Sequence, residues 1–124
     1  MEEPKKTLTP TIAVDFDGTL CEDAWPNIGR PNHRLIRFLI NWQKQGNKVI
    51  LWTCRDGDIL DLAVRWCGSY GLYFDAVNCN LQERIDYYGH DSRKIGADYY
   101  IDDFNTLIVF DKREITPRRK EIWI

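Results

Sequence analysis

Acidic residues in two short segments are the strongest chemical signal in this sequence. Asp15 and Asp17 come directly after an apolar run at 11–14 that predicts a buried strand, and Asp102 and Asp103 follow another such run. Ligands of open α/β sheets bind at the carboxyl ends of the strands, where acids from distant parts of a chain can converge. Four carboxylates in one crevice repel each other unless a cation lies among them. A hard divalent ion with oxygen ligands, best of all Mg²⁺, fits this set.

Two further polar residues are expected in the same crevice. Thr53 ends the apolar run 48–53, and Lys94 precedes the strand that leads to Asp102. A hydroxyl and an ammonium group beside a cation suit a phosphoryl group, and a carboxylate aimed at phosphorus can form an aspartyl-phosphate. Each residue also has an ordinary interpretation, because Thr53 could be a β-branched strand residue and Lys94 a solvated surface lysine.

Alternating strand and helix patterns predict how the chain brings these residues together. Strands are predicted at 11–14, 48–53, 76–77, 98–101 and 106–110, helices at 33–45 and 59–70, loop at 21–31, and irregular or helical structure at 78–97. Strand–helix–strand units of this length form parallel sheets. The predicted fold is therefore α/β, a three-layer α/β/α sandwich on a mostly parallel Rossmann-like sheet. We expect a single domain over residues 1–124, with its core at about 10–110 between short tails.

Composition narrows the class of protein. The 124 residues are 44% hydrophobic and 29% charged with a net charge of −2, which favours a globular protein and gives no bulk attraction to nucleic acid. No apolar run is long enough for a membrane span, and the polar N-terminal residues do not resemble a signal peptide. The four cysteines form no Cys-x-x-Cys pair, so we expect free thiols and a cytoplasmic location.

With these motifs in place, the chain resembles the haloacid dehalogenase-like (HAD) phosphohydrolase superfamily. The first motif of that superfamily, Asp-x-Asp-Gly-Thr, is matched in full by residues 15–19. The second, an apolar strand ending in Thr or Ser, is matched by residues 50–53. The third, a lysine, is matched by Lys94, and the fourth, an acidic pair after an apolar strand, by Asp102 and Asp103. The order and the rough spacing agree over most of the chain.

The resemblance implies a two-step phosphatase mechanism. Asp15 would attack phosphorus, and Asp17 would protonate the leaving group and then activate water. Thr53 and Lys94 would hold the phosphoryl oxygens as charge redistributes. The dehalogenases that name the superfamily lack the second acid of the first motif, so Asp17 indicates phosphoryl chemistry rather than carbon–halogen cleavage.

The same resemblance implies a magnesium site. Asp15, the backbone carbonyl of Asp17 and Asp102 would hold Mg²⁺, with Asp103 contributing through water. Asp103 could instead cap the turn that follows it, and the two roles are compatible.

The intervals between the motifs indicate a member without a cap domain. Predicted helices and short strands take up the chain between Asp17 and Thr53 and between Thr53 and Lys94. Larger relatives carry cap domains in these two intervals. Here the segment 21–31, with Trp25 as its one large contact group, would be the only lid.

The expected partner is a phosphorylated substrate, which the sequence does not identify. An open site offers a small metabolite few contacts beyond its phosphate. We therefore expect either a phosphorylated macromolecule, with a nucleic-acid end left open, or an oligomer that closes the site. The apolar terminus Ile122-Trp123-Ile124 predicts either a last strand packed on the core or a subunit contact.

Two other functions stay open at this stage. A response-regulator receiver domain also places acids, a Thr and a Lys around a phosphorylated Asp, although in a different order along the chain. The second alternative is a HAD-like protein that has no catalytic activity and binds a metal or a partner. Arg55, Asp56, Asn80 and His90 are weaker candidates for lining the site, each with an ordinary loop role as the alternative.

Overall fold

The computed structural model describes residues 8–103 and the backbone of residues 108–110 and 115–117. The strands in these residues are β1 (Thr11–Val14), β2 (Cys21–Ala24), β3 (Asn27–Pro31), β4 (Lys48–Leu51), β5 (Ala76–Val77), β6 (Tyr99–Ile101), β7 (Ile108–Phe110) and β8 (Ile115–Pro117). The helices are α1 (His33–Lys44), α2 (Gly57–Ser69) and α3 (Gln82–Tyr88). No helix among the described residues is long and apolar enough to cross a membrane.

Four strands form one parallel sheet in the order β5-β4-β1-β6. The chain moves outward from β1 to β4 and β5, then returns to β6 on the other side of β1. The strands therefore end at one edge of the sheet, and the direction of winding reverses beside β1, where α/β folds bind ligands. The four parallel strands and three helices confirm the predicted α/β class and are compatible with a Rossmann-like sandwich.

Both faces of the sheet are buried by apolar side chains. Ile12 and Val14 face one way and pack in a large cluster with residues of α1 and α2. Ala13 faces the other way and packs with Leu81 and Ile95 in a smaller cluster. Burial on both faces explains why β1 and β4 are continuous apolar runs rather than alternating ones.

Local signals fix the ends of α1. The Asn32 side chain accepts a hydrogen bond from the Leu35 backbone N–H at 3.2 Å, as expected of an N-cap. Gly46 follows the helix with φ +88°, a conformation that stops a helix at little steric cost in glycine. The predicted helix at 33–45 is thus confirmed, although the observed α1 ends one residue earlier. The predicted strands 48–53 and 98–101 are likewise longer than the observed β4 and β6.

The segment 21–31 is not a loop, and this prediction was wrong. It forms an antiparallel hairpin of β2 and β3, and its tip carries Trp25. Three of the four residues of β2 are exposed, so the hairpin lacks the apolar alternation that would reveal a strand. Gly29 lets the two strands approach, because a Cβ there would lie 2.9 Å from the carbonyl carbon of Glu22.

The C-terminal strands form a separate pair. The predicted strand at 106–110 corresponds to β7, which pairs antiparallel with β8 and not with the four-stranded sheet. Residues 106 and 107 and the terminus Ile122-Trp123-Ile124 lie outside the described residues. β8 was not predicted from the sequence, because a three-residue strand that ends in proline gives little signal.

Candidate active site

Three carboxylates meet at the carboxyl edge of the sheet. Asp15 follows β1, and Asp102 and Asp103 follow β6, the hydrogen-bonded neighbour of β1. The Asp15 N–H donates to the Ile101 carbonyl at 2.9 Å, which holds the two strand ends together. Each carboxylate offers an oxygen, and these oxygens lie within 4.8 Å of one another. The structure therefore brings together three of the four carboxylates that the sequence placed at this edge, and the fourth, that of Asp17, binds Arg55 instead.

A glycine makes the approach of Asp103 possible. Gly18 has φ +79°, which few side chains tolerate. A Cβ at this position would lie 3.0 Å from Cγ of Asp103 and closer still to its Oδ2 atom. Only glycine satisfies both demands, so Gly18 allows the turn after Asp17 to pass directly against the carboxylate of Asp103.

Burial and like charges act together on Asp15. Desolvation, the largest cause, and then the Asp102 and Asp103 carboxylates raise the pKa of Asp15 from 3.8 to about 6, against the lowering effect of hydrogen bonds from the Phe16 backbone and the Thr19 hydroxyl. A bound cation would offset both the burial and the repulsion of the ionised form. A set of carboxylate oxygens from three residues is the donor chemistry that Mg²⁺ prefers. The residues present therefore fit a magnesium ion.

Asp17 lies beside this cluster, and its carboxylate is bound to Arg55. The Arg55 guanidinium donates from Nε to Oδ2 of Asp17 at 2.9 Å and from Nη2 to Oδ1 at 2.8 Å. The Arg55 side chain has no exposed surface, while that of Asp17 is 16% exposed. The hydrogen bonds with Asp17 raise the pKa of Arg55. Asp17 is thus oriented by a two-pronged, charge-assisted contact.

Arg55 also connects Asp17 to the hairpin of β2 and β3. Its Nη2 donates to the Asn27 carbonyl at 2.9 Å, and its Nη1 donates to the Ile59 carbonyl at 3.2 Å. The ring centroids of Phe16 and Trp25 lie 4.9 Å and 5.2 Å from Cζ of Arg55. The guanidinium therefore joins the first motif, the hairpin tip and the start of α2 at one buried point.

Thr53 is positioned by a residue that the sequence analysis missed. The Thr53 backbone N–H donates to the Asn78 side chain at 2.7 Å, and the Thr53 hydroxyl accepts from the Arg55 backbone N–H at 3.1 Å. Asn78 has φ +54°, and asparagine is one of the few residues besides glycine that adopts this conformation readily. The sequence signal that could have identified Asn78 is its position directly after the predicted strand 76–77.

Two cavities flank the carboxylates. The Thr53 cavity, about 230 Å³, is bordered by Asp15, Asp17, Trp25, Thr53 and Asp102, among others. The Trp52 cavity, about 330 Å³, is bordered by Asp15, Trp52, Lys94, Tyr100 and Asp102, among others. Thr53 and Lys94 therefore lie in different cavities that share Asp15 and Asp102. A group bound at Asp15 has Thr53 on one side and Lys94 on the other.

Asn80 supports the segment that carries Lys94. Its Oδ1 accepts from the Gly96 N–H at 2.6 Å, and its Nδ2 donates to Asp91 at 2.7 Å and to the Ser92 carbonyl at 2.9 Å. Asn80 is buried, so it acts as a brace for the segment between α3 and β6. Lys94 itself is exposed at the mouth of the Trp52 cavity.

The other weak candidates take different places. Arg55 is part of the site through Asp17. Asp56 precedes α2 as its N-cap residue and makes no side-chain cap hydrogen bond. His90 is exposed, its Nδ1 lies 3.3 Å from the Tyr88 carbonyl, and it borders neither cavity.

Comparisons with known proteins found a similar solved structure. No family model matches the chain, and no curated protein matches it. A solved structure, that of "the conserved protein coded by locus from Bacteroides thetaiotaomicron", shares 41% sequence identity with the chain and superimposes with a TM-score of 0.70. The match covers 79% of this chain and 78% of that chain. At this identity and coverage, the chain belongs to the same family as the conserved Bacteroides thetaiotaomicron protein.

Proposed function

We propose that this protein is a Mg²⁺-dependent phosphohydrolase of the HAD-like type, with Asp15 as its nucleophile. The observation that carries the proposal is the convergence of Asp15, Asp102 and Asp103 between two cavities that also hold Thr53 and Lys94. A carboxylate next to a cation site, a hydroxyl and an ammonium group is the set that aspartyl-phosphate chemistry needs. We also propose that the detailed architecture is a three-layer α/β/α sandwich without a cap domain.

The proposed reaction has two steps. An oxygen of Asp15 attacks phosphorus, a bond from Asp15 to phosphorus forms, and the bond to the leaving oxygen breaks. Asp17 gives that oxygen a proton. Asp17 then takes a proton from water, the water attacks the phosphorus of the aspartyl-phosphate, and inorganic phosphate leaves with Asp15 restored.

Asp15, Asp102, Asp103 and the backbone carbonyl of Asp17 would hold the metal. When bound, Mg²⁺ would neutralise charge on the carboxylates and on the phosphoryl oxygens. The carboxylates of Asp15, Asp102 and Asp103 supply the oxygen cluster. Gly18 keeps the position beside Asp103 clear for that arrangement.

Thr53 and Lys94 would bind the phosphoryl oxygens. Because the Thr53 hydroxyl accepts its hydrogen bond from the Arg55 N–H, its own proton remains available to donate to a phosphoryl oxygen. The Lys94 ammonium group would neutralise charge from the side of the Trp52 cavity. Such donors contribute most when they are held in place before the reaction.

Arg55 would act as a positioning residue for Asp17. Both oxygens of Asp17 accept from the Arg55 guanidinium, so the carboxylate has a fixed orientation beside Asp15. A proton on Asp17 would replace or weaken one of these two hydrogen bonds. Because Arg55 also binds the hairpin at Asn27, the proton transfers by Asp17 would be coupled to the hairpin position.

A cytoplasmic location belongs to the same proposal. All four cysteines are free, as Cys21, Cys54, Cys67 and Cys79. Free thiols are usual in a reducing compartment, where disulfides rarely persist.

A phosphatase screen with and without Mg²⁺ tests the proposed function. The screen would cover sugar phosphates, nucleotides, aryl phosphates and phosphorylated oligonucleotides and peptides, with phosphate release as the readout. We expect hydrolysis of at least one class, lost with a chelator and restored by Mg²⁺. Hydrolysis that survives complete removal of divalent cations would contradict the metal assignment, and no hydrolysis in any class would contradict the enzymatic one.

A further inference from the structure

The Trp52 cavity has an aromatic wall beside the carboxylates. The rings of Trp52 and Tyr100 lie 5.6 Å apart and are tilted by 55° to each other. Lys94 lies over one of these rings, with its Nζ atom 5.9 Å from the centroid of the Tyr100 ring. A cavity of about 330 Å³ that contains both apolar rings and charged groups can hold a ligand with one flat ring and one anionic group.

The sheet register places this wall and the carboxylates on one face. Ala13 pairs with Tyr100 in β6 and with Ile50 in β4, so these side chains point the same way. Two positions further along the strands come Asp15 and Trp52. The ladder continues to these positions, because the Trp52 N–H donates to the Val14 carbonyl at 2.9 Å. A ligand on this face therefore meets the reacting carboxylate and the indole ring together.

Hydrogen bonds hold the Tyr100 ring of this wall in place. The Tyr100 hydroxyl donates to the Ile95 carbonyl and accepts from the Ala97 N–H at 3.3 Å, which fixes the orientation of the phenol ring. Ala13, which pairs with Tyr100 in the register and borders the cavity, is small and so leaves space beside the ring. A fixed ring surface loses little conformational entropy when a ligand packs against it.

Trp52 still exposes 40% of its surface beside these charged groups. Exposed aromatic residues are common, and Tyr73 is more exposed than Trp52. Trp52 differs from Tyr73 because it borders a cavity that also contains Asp15 and Lys94. A ligand ring that covers the indole would remove apolar surface from water at the place where the phosphoryl group is held.

We propose that the Trp52 cavity is the subsite for the leaving group, and that it selects phosphate monoesters whose alcohol carries an aromatic ring close to the ester oxygen. This inference rests on the phosphohydrolase function and names its substrate class. The ring would pack against Trp52 and Tyr100, while the phosphoryl group would lie at Asp15, where the two cavities meet, so that the ester oxygen can reach Asp17 in the Thr53 cavity. The volume, at the lower end of the range of roughly 300–1,000 Å³ for ligand sites, favours a single-ring compound.

A matched pair of substrates tests the subsite. Benzyl phosphate and cyclohexylmethyl phosphate share the same CH2–O–P linkage and nearly the same size, and they differ in whether the ring is aromatic. For the wild type we expect kcat/KM to be higher for the benzyl ester by about fivefold, on the scale of an aromatic pair, with most of the difference in KM. Trp52→Leu should bring the ratio of the two kcat/KM values close to one, and Trp52→Phe should keep most of it.

Tyr73→Leu is the matched control. Tyr73 lies before the amino end of β5, at the opposite edge of the sheet, so its loss should leave the benzyl preference unchanged. A wild-type ratio near one, or a ratio that Trp52→Leu does not alter, would overturn the proposed subsite while leaving the phosphohydrolase function intact.

Binding of the two corresponding phosphonates separates the subsite from catalysis. Benzylphosphonate and cyclohexylmethylphosphonate cannot be hydrolysed, so calorimetry with Mg²⁺ present measures binding alone. We expect tighter binding of the benzyl compound to the wild type and no preference in Trp52→Leu. If the wild type showed that preference but hydrolysed neither ester, the subsite would stand and the proposed function would fail. Equal binding of both phosphonates would overturn the subsite.

Discussion

Arg55 binds both carboxylate oxygens of Asp17 from a position with no exposed surface. The pair joins the first motif to the residue two places after Thr53, and through Asn27 it reaches the hairpin. Removal of one partner from a buried ion pair leaves a charge without compensation, which is costly even where the intact pair contributes little net stability. The orientation of Asp17 therefore depends on Arg55.

A double-mutant cycle measures this dependence. Arg55→Gln should lower the free energy of unfolding by about 3 kcal/mol, because Asp17 loses its partner in a largely buried setting. Combined with Asp17→Asn, the effects should be less than additive, with a coupling of about 1–3 kcal/mol from urea unfolding. The exposed pair of Arg30 and Glu22, at 2.7 Å, is the control, and its cycle should give a smaller coupling. Equal coupling for the two pairs would show that Arg55 does not hold Asp17 as described.

Gly18 and Gly46 provide a matched test of the space beside Asp103. Both have φ near +80° to +90°, but a Cβ at Gly46 meets nothing within 4 Å, whereas at Gly18 it collides with Asp103. Gly46→Ala should therefore cost only the left-handed strain, about 1–2 kcal/mol. Gly18→Ala should cost more and should also weaken Mg²⁺ binding measured by calorimetry, because Asp103 must move. Equal losses of stability with unchanged Mg²⁺ affinity would contradict the close contact.

Asp15 should make the stability of the metal-free protein depend on pH. Its pKa is about 6 in the folded protein against 3.8 when unperturbed, so the folded state holds this proton more tightly than the unfolded one. The ionised side chain therefore destabilises the fold fully above pH 6, and this penalty disappears as the pH falls toward 4. At pH values above 6, Asp15→Asn should raise the urea concentration at the midpoint of unfolding. This increase should become smaller as the pH falls toward 4.

Mg²⁺ should reverse the order of stability of the wild type and Asp15→Asn. A ligand that binds only the folded state raises its stability, so saturating Mg²⁺ should stabilise the wild type more than Asp15→Asn at neutral pH. In the metal-free protein, a gain in stability from Asp15→Asn that is the same at every pH would contradict the proposed origin of the pKa shift.

Asp17→Asn should separate turnover from phosphorylation of Asp15. With the general acid and base removed, hydrolysis of the aspartyl-phosphate should slow by about 10²-fold or more, so that phosphorylated protein accumulates. Intact-protein mass spectrometry after mixing with a small phosphodonor follows this species. In the wild type it should be short-lived. A label on wild-type Asp15 that persists for hours would favour a receiver-like signalling role.

The residues whose roles depend on local sequence were predictable. Asp15, Asp102 and Asp103 follow apolar strands, and a parallel sheet brings such strand ends to one edge, so their convergence could be inferred. The helix α1 was also predictable, because Asn32 and Gly46 mark its two ends. For these elements, the apolar runs and the capping residues in the local sequence are sufficient signals.

Roles that depend on tertiary contacts were not predictable. Arg55 and Arg93 stand in similar local settings, near Thr53 and beside Lys94, yet Arg55 is fully buried against Asp17 and Arg93 is exposed. The hairpin of β2 and β3 was missed because β2 is mostly exposed and neither strand shows an apolar alternation. The pairing of Trp52 with Tyr100 depends on register between β1, β4 and β6, which single-sequence patterns do not specify.

Whether Asp15 is the nucleophile of a Mg²⁺-dependent phosphohydrolase can be decided by one comparison of phosphate release. Phosphate release from a generic aryl phosphate is measured for the wild type and for Asp15→Asn, each with Mg²⁺ and with a chelator. We expect release by the wild type with Mg²⁺ only, and none by Asp15→Asn, because an amide cannot form the acyl phosphate. Release by Asp15→Asn at the wild-type rate would contradict the assignment of the nucleophile.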